Sequence, residues 1–342
     1  MNRILTTITV TLFLANTSFA WYDYSKSGIK PTPTSGKNSL QAKAANCSPA
    51  IATKFLEYNN VSSLIETGGS MWQDRNNNRA AYEIPKGSQE FLMYSGALWM
   101  GGKDVNNQLK VAGLTFRTGN DFWTGPLSVI AGTGDLSQGT KDFGPAEIEP
   151  DVCNEYDKFF DITRAEVDEF VSWYNCGLDP TCNQAVDFPN YSIPTSITNW
   201  PAHGDVSRFQ DFYLAPFKDV NGDQVYNPAD GDYPWYDLNN EVDCRASRQV
   251  TLYGDFTRWW IFNDKGNVHT ETQGDAIGME IRAQAFAFAT NDEINNMTFF
   301  NYELVNRSTQ RLKDTYFAVW ADPDIGCSDD DYVGCDVERG VG

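Results

Sequence analysis

Along this chain the apolar positions come in short runs broken by Gly, Pro, Asn and Asp, a pattern of strands joined by turns. Residues 81–85 read as a short extended piece, and residues 91–100 are strongly apolar and stop at Gly101-Gly102. Residues 109–116 partly alternate, and the intervening Lys103-Asp-Val-Asn-Asn107 has turn composition, so the two runs predict a β-hairpin. Residues 119–126 read as a loop carrying two aromatics. Strand character returns at 249–263, which contains Trp259-Trp260-Ile-Phe262, and at 278–290, which is apolar on both faces at its centre. It recurs at 298–305 and 314–320, with Asn306-Arg-Ser-Thr309 as a turn between them. Short strands so regularly spaced predict a mainly β chain folded as an antiparallel β-sandwich.

One stretch breaks the strand pattern. Thr163-Arg-Ala-Glu166 is a capping box, in which hydroxyl and carboxylate satisfy each other's orphan amides. Val167, Phe170, Val171 and Tyr174 follow as a single apolar stripe. The prediction is one amphipathic helix over residues 163–175, ended by Cys176-Gly177 and laid on a sheet. The chain then divides into a signal peptide (1–20), a flexible leader (21–46), an N-terminal β region (47–145), a helix and loop-rich insertion (146–248) and a C-terminal β region (249–342). The signal rests on Arg3, the apolar run 4–15 and the small-x-small Ser18-Phe-Ala20 before Trp21. That run is too short to span a bilayer, and no later stretch reads as transmembrane. The expectation is therefore an exported chain, extracellular or at the cell surface, that is not an integral membrane protein.

Composition narrows the function. The 342 residues hold 46 acidic against 26 basic side chains, a net charge of −20, which repels nucleic acid and anionic lipid. Nucleic acid is therefore excluded as a partner. Aromatics reach 14% with ten Trp, more than a core of this size needs. Some are expected on the surface, as in sugar- or partner-binding faces, although ordinary burial explains most. Seven cysteines in an exported chain permit disulfides. Cys176 with Cys182, and Cys327 with Cys335, each bracket a turn-like segment; Cys153 and Cys244 are then candidates for a long-range pair, with Cys47 left odd. Connectivity stays open at this level. Zinc is a poor fit, because no Cys-x-x-Cys exists and only two histidines are present.

The most specific chemical signal is Asp219-Val-Asn-Gly-Asp-Gln-Val-Tyr-Asn-Pro-Ala-Asp230, followed by Gly231 and Asp232. Asp219, Asn221, Asp223, Asn227 and Asp230 place side-chain oxygens at loop positions 1, 3, 5, 9 and 12, and Val225 offers its carbonyl at position 7. Asp232 adds a further carboxylate. A hard cation such as Ca²⁺ takes oxygens of this kind at about 2.3–2.6 Å. The loop departs from an EF-hand: Gln224 holds the usual glycine place, and Pro228 forbids the following helix. A dockerin would need two such loops. A structural Ca²⁺ staple is the expectation, against the plain alternative of a solvated acidic turn. A second, weaker cluster is Asp322, Asp324, Asp329, Asp330 and Asp331, whose charges repel unless a cation or solvent relieves them.

Six phrases together resemble a family of large secreted and cell-surface proteins of Bacteroidetes-type bacteria. They are Ser95-Gly-Ala-Leu-Trp-Met-Gly-Gly102, Thr118-Gly-Asn-Asp-Phe-Trp-Thr-Gly-Pro126, Asn199-Trp-Pro-Ala-His-Gly-Asp205, Phe217-Lys-Asp-Val-Asn-Gly-Asp223, Phe262-Asn-Asp-Lys-Gly-Asn-Val-His-Thr-Glu271 and Trp320-Ala-Asp-Pro-Asp-Ile-Gly326. The resemblance implies export and surface display, commonly with a C-terminal sorting domain read by type IX secretion. That domain is not in this sequence, so the expectation is a truncated member. It carries over no catalytic residue. His203 and His269, each beside an acid (Asp205, Glu271), could meet as a metal or acid–base pair, but two separate structural histidines fit better. No nucleophile elbow, zinc helix or phosphate loop is present. Two functions remain. One is a calcium-stabilised, non-catalytic surface module binding glycans or other surface proteins. The other is a secreted polysaccharide hydrolase, or its carbohydrate-binding part. Exposed Trp in a row favours glycan binding, and two carboxylates about 5–10 Å apart in a cleft favour hydrolysis.

Overall fold

The computed structural model describes residues 45–129, 144–242, 250–325 and 330–341, which belong to the unit Lys43–Gly342. The other unit, Met1–Ala42, lies outside them, as do the expected signal peptide and most of the leader.

Strands come first, as the turn-punctuated sequence requires. They are β1 (Thr53–Leu56), β2 (Ser62–Glu66), β3 (Ser70–Met71), the small hairpin β4 (Gln73–Asp74) and β5 (Arg79–Ala80), then β6 (Tyr82–Glu83), β7 (Phe91–Lys103), β8 (Leu109–Ala112) and β9 (Trp123–Thr124). The predicted hairpin is present: β7 and β8 pair antiparallel, Met100 facing Ala112, and Asp104 closes the turn by accepting from the amides of Asn106 and Gln108. The insertion follows with α1 (Pro150–Glu155), β10 (Phe160–Thr163), α2 (Arg164–Leu178), α3 (Gln184–Asp187), α4 (Thr195–Thr198), β11 (Phe217–Lys218) and β12 (Tyr233–Pro234). The chain then runs through β13 (Phe256–Asn263), β14 (Met279–Ala287), β15 (Phe299–Asn306) and β16 (Lys313–Pro323).

These strands build two principal antiparallel sheets, so the chain is mainly β and sandwich-like. In the first, the order β1-β2-β3-β7-β16 ends on β16, with β6 and β8 also pairing β7. In the second, the order is β10-β13-β14-β15, with β9 on β13. Alternation along each strand decides what lies between them. Leu98 and Met100 of β7 meet Trp260, Phe262, Ile281, Ala283 and Ala285 of β13 and β14 in one apolar core. The small alanines of β14 let the two sheets approach around the large Trp260 and Phe262.

The opposite face of the second sheet is covered too. Trp259, Ile261 and Ile162 form a second core with Val167 and Phe170 of α2 and with Trp200, Leu214 and Tyr236 of the insertion. The capping box forms as predicted: Glu166 N–H donates to the Thr163 hydroxyl, and Thr163 N–H donates to the Glu166 carboxylate. The helix nevertheless runs past Cys176-Gly177 to Leu178. Thr163→Ala should cost about 1 kcal/mol, read as a lower urea midpoint at unchanged slope.

One strand differs from its sequence reading. β14 is buried on both faces, yet the face toward the insertion carries Glu280, Arg282 and Gln284. Glu280 and Arg282 belong to a closed ionic cluster. Arg307 Nη2 donates to Asp211 (2.8 Å) and Glu280 (2.7 Å), and Arg282 reaches Asp211 and Glu280 at 3.1 Å each. The Glu280 carboxylate also accepts from Leu127 N–H at 3.0 Å. Burial alone would raise both carboxyls, but the two guanidinium charges outweigh it and hold Asp211 and Glu280 below the usual carboxylate range.

Disulfides correct the expected pairing. Cys47 bonds Cys153, so Cys47 is not odd and Cys153 is not available to Cys244, which lies outside the described residues. The local Cys176–Cys182 bridge is present at the end of α2. Cys335 is a free, exposed thiol, and the expected bridge from it to Cys327 falls on a residue outside the described ones.

Candidate functional site

The loop between β11 and β12 is shaped by its own carboxylates. Asp219 accepts from the amides of Gly222 and Gln224, at 2.7 Å each. The Asn221 side-chain oxygen accepts from Asp223 N–H and the Asp223 carboxylate from Val225 N–H, at 2.9 and 2.8 Å. The Asn221 and Asp223 bonds are successive Asx turns, and with the Asp219 bonds they explain why a stretch of Asp, Asn and Gly folds back on itself. Gly222 and Gln224 both adopt positive φ, the first at no steric cost.

Asp232 closes the loop. Fully buried, it accepts from Val220 N–H at 2.8 Å and from Asn227 N–H at 2.9 Å, tying both arms together. Oxygen atoms of Asp219, Asp223 and Asp232 all lie within 4.8 Å of one another. The other predicted ligands are arranged differently. Asn227 Nδ2 donates to the Asp230 carboxylate at 2.6 Å, and Asn221 Nδ2 donates to Asp223 at 3.0 Å. The Val225 side chain is exposed.

Burial pushes the Asp232 carboxyl above its ordinary range, and the neighbouring charges of Asp219 and Asp223 push the same way. The amides of Val220 and Asn227 only partly offset this. An ionised Asp232 is therefore held at a cost that falls away as pH drops through its raised pKa, and a bound cation would remove the same cost at neutral pH. Ligand type fits a hard cation: three carboxylates, neighbouring amide oxygens and no sulfur.

The support around this loop was not legible from spacing. His203 Nε2 accepts from Tyr226 N–H at 2.8 Å, while His203 Nδ1 donates to the Phe212 carbonyl at 2.9 Å. That pair of bonds requires a neutral ring, and burial holds its pKa below the ordinary value. Tyr174 of α2 donates its hydroxyl to the Asp230 carbonyl, and Tyr226 donates to the Ile197 carbonyl. His269 lies elsewhere, buried against Trp123 with ring nitrogens at the Val111 and Asp264 carbonyls. The two histidines have different partners and form no common site.

The second acidic cluster is looser. Asp322 lies on β16, Asp324 N–H donates to the Leu92 carbonyl, and Asp331 accepts from Ile325 N–H. Among the described residues its carboxylates form no three-member group like that of the first loop; Asp330 is exposed, and Asp329 lies outside them. Cys176, Cys182 and Asp187 do cluster, but that sulfur pair is oxidised. Among the described residues no helix is long and apolar enough to cross a membrane. Compared with protein-family models, curated proteins and solved structures, the chain finds no match.

Proposed function

We propose that this chain is a secreted, non-catalytic extracellular module whose 219–232 loop is stapled by Ca²⁺, and that its role is binding or adhesion. The observation that supports the staple is the convergence of Asp219, Asp223 and buried Asp232. Export supplies calcium, and the loop is tied to α2 through Tyr174 and to the segment carrying Phe212 through His203, so a cation there stiffens the insertion rather than switching it.

Thermal unfolding with Ca²⁺ and with EDTA tests it. At Ca²⁺ one hundred times its Kd the stabilisation is about 2.7 kcal/mol. For a unit of this size that is a Tm rise of roughly 4 °C. Asp232→Asn should abolish the rise, because one ligand charge is gone while the Oδ1 acceptor for Val220 remains. The rise should also shrink as pH falls through the raised pKa of Asp232, since protonation and Ca²⁺ compete for the same carboxylate. Equal Tm values in Ca²⁺ and EDTA at neutral pH would sink the staple.

A further inference from the structure

The outer face of the first sheet carries a row of aromatic rings that no core uses. Alternation along β16 puts Tyr316, Ala318, Trp320 and Asp322 on one face, opposite Gly101, Trp99, Ala97 and Ser95 of β7. On that face Tyr94, Phe116, Trp320 and Trp99 follow one another with centroid steps of 6.2, 6.3 and 5.9 Å, and the two indoles are parallel to within 1°. Trp99 is 39% exposed, Phe116 44% and Tyr316 74%. The row is also rigid. A Cβ on Gly113 would sit 2.8 Å from the Trp99 ring, so the indole lies flat over a glycine, and its Nε1 donates to the Leu114 carbonyl at 2.6 Å.

Polar groups of both signs flank these rings. The Arg117 guanidinium lies 5.8 Å from the centre of the Phe116 ring and makes no ion pair among the described residues. Asp322, two residues beyond Trp320, is half-buried. Burial and then the charge of Asp324 raise its carboxyl above the ordinary range. Tyr94 holds Asn78 through its hydroxyl at 2.8 Å.

We infer that this face is a binding site for a linear, neutral oligosaccharide, with sugar rings stacked along Trp99, Trp320 and Phe116 and hydroxyls bonded to Asp322 and Arg117. The inference rests on the binding role proposed above and names its ligand. Ring-to-ring steps of about one hexose suit successive sugar units, whose C–H faces are apolar and whose edges are hydroxyls. A lipid cover would instead desolvate Asp322 and Arg117 without partners, at a cost of several kcal/mol, and a protein cover would have to bring a matched charge to each. Sugar hydroxyls both donate and accept, so they complement the carboxylate and the guanidinium together. Scattered exposed apolar residues need no explanation, but a contiguous aromatic row with polar flanks does.

The test is isothermal titration of the whole chain with cellohexaose, xylohexaose, mannohexaose and chitohexaose, each in Ca²⁺ and in EDTA. At least one hexaose should bind, its disaccharide more weakly. Trp99→Ala and Trp320→Ala should each weaken binding about tenfold. Phe116→Ala and Tyr316→Ala, at exposed positions that cannot unfold the core, should weaken it in the same direction with Tm unchanged. No binding to any of the four, or binding unaffected by these substitutions, overturns the site. Self-association on sedimentation that Tyr316→Lys abolishes, without sugar binding, overturns it in favour of a protein interface. Binding that persists when Ca²⁺ leaves Tm unmoved would remove the staple and leave this site standing; a calcium-dependent Tm with no sugar binding would do the reverse.

Discussion

Replacing Cys47 and Cys153 by alanine will lower the unfolding free energy by on the order of 4 kcal/mol, the largest loss expected of any covalent change in this chain. The bridge closes a sequence separation of 106 residues, so its removal returns a great deal of loop-closure freedom to the unfolded chain. It also anchors the residues entering β1. Cys47 N–H donates to the Gly266 carbonyl, and both sulfurs are buried in the core shared by α1, α2 and β13. The internal control is Cys176→Ala with Cys182→Ala, which opens a separation of only 6 residues and should cost about 2 kcal/mol. Urea midpoints of the two double variants decide the matter. If the local bridge costs as much as the long one, chain entropy is not what the long bridge contributes.

Arg307→Met should cost about 3–5 kcal/mol, because it strands Glu280 and Asp211 in an interior that has excluded water. Arg307 is 1% exposed and Glu280 0%. With Arg307 gone, a single guanidinium, Arg282, faces both carboxylates. The pH dependence should change as well. In the native cluster the depressed pKa values of Asp211 and Glu280 contribute stability that is present above the ordinary carboxylate range and lost as pH falls through the depressed values. In the variant that contribution is diminished at neutral pH, so its acid sensitivity flattens. Arg79→Met, which removes a surface pair with Asp74, should cost no more than about 1 kcal/mol. A loss below that level for Arg307→Met would show that water or relaxation relieves the cluster.

What the sequence displayed clearly was local. The capping box joins residues three apart, and the β7–β8 hairpin is closed by Asp104 accepting from amides two and four residues on, so both were visible in a short window. The three converging carboxylates of the 219–232 loop were legible for the same reason, since Asx turns set that curvature. The placement of Asn227 and Asp230 was not, because these two side chains pair with each other. Everything that depends on tertiary contact stayed hidden. The partner of Cys153 comes from the far side of the N-terminal β region, and no spacing rule favours Cys47 over Cys244. The ionic cluster draws on positions 211, 280, 282 and 307, and in β14 its members look like interruptions of an apolar strand. Trp99 belongs to a run that is apolar throughout, and only the packing of its neighbours Leu98 and Met100 on the second sheet turns it outward.

The pairing of β7 with β16 also sets an order of events during biosynthesis. Lys103 of β7 waits for Lys313, roughly 210 residues later, which at about 5–20 residues per second is on the order of 10–40 s of elongation. Through that interval one edge of a thirteen-residue apolar strand has no neighbour, and it would template wrong pairings unless a holding factor shields it. The Trp99–Trp320 pair therefore exists only after the last strand has docked, and chains released early from the ribosome should lack it however well their earlier parts have folded.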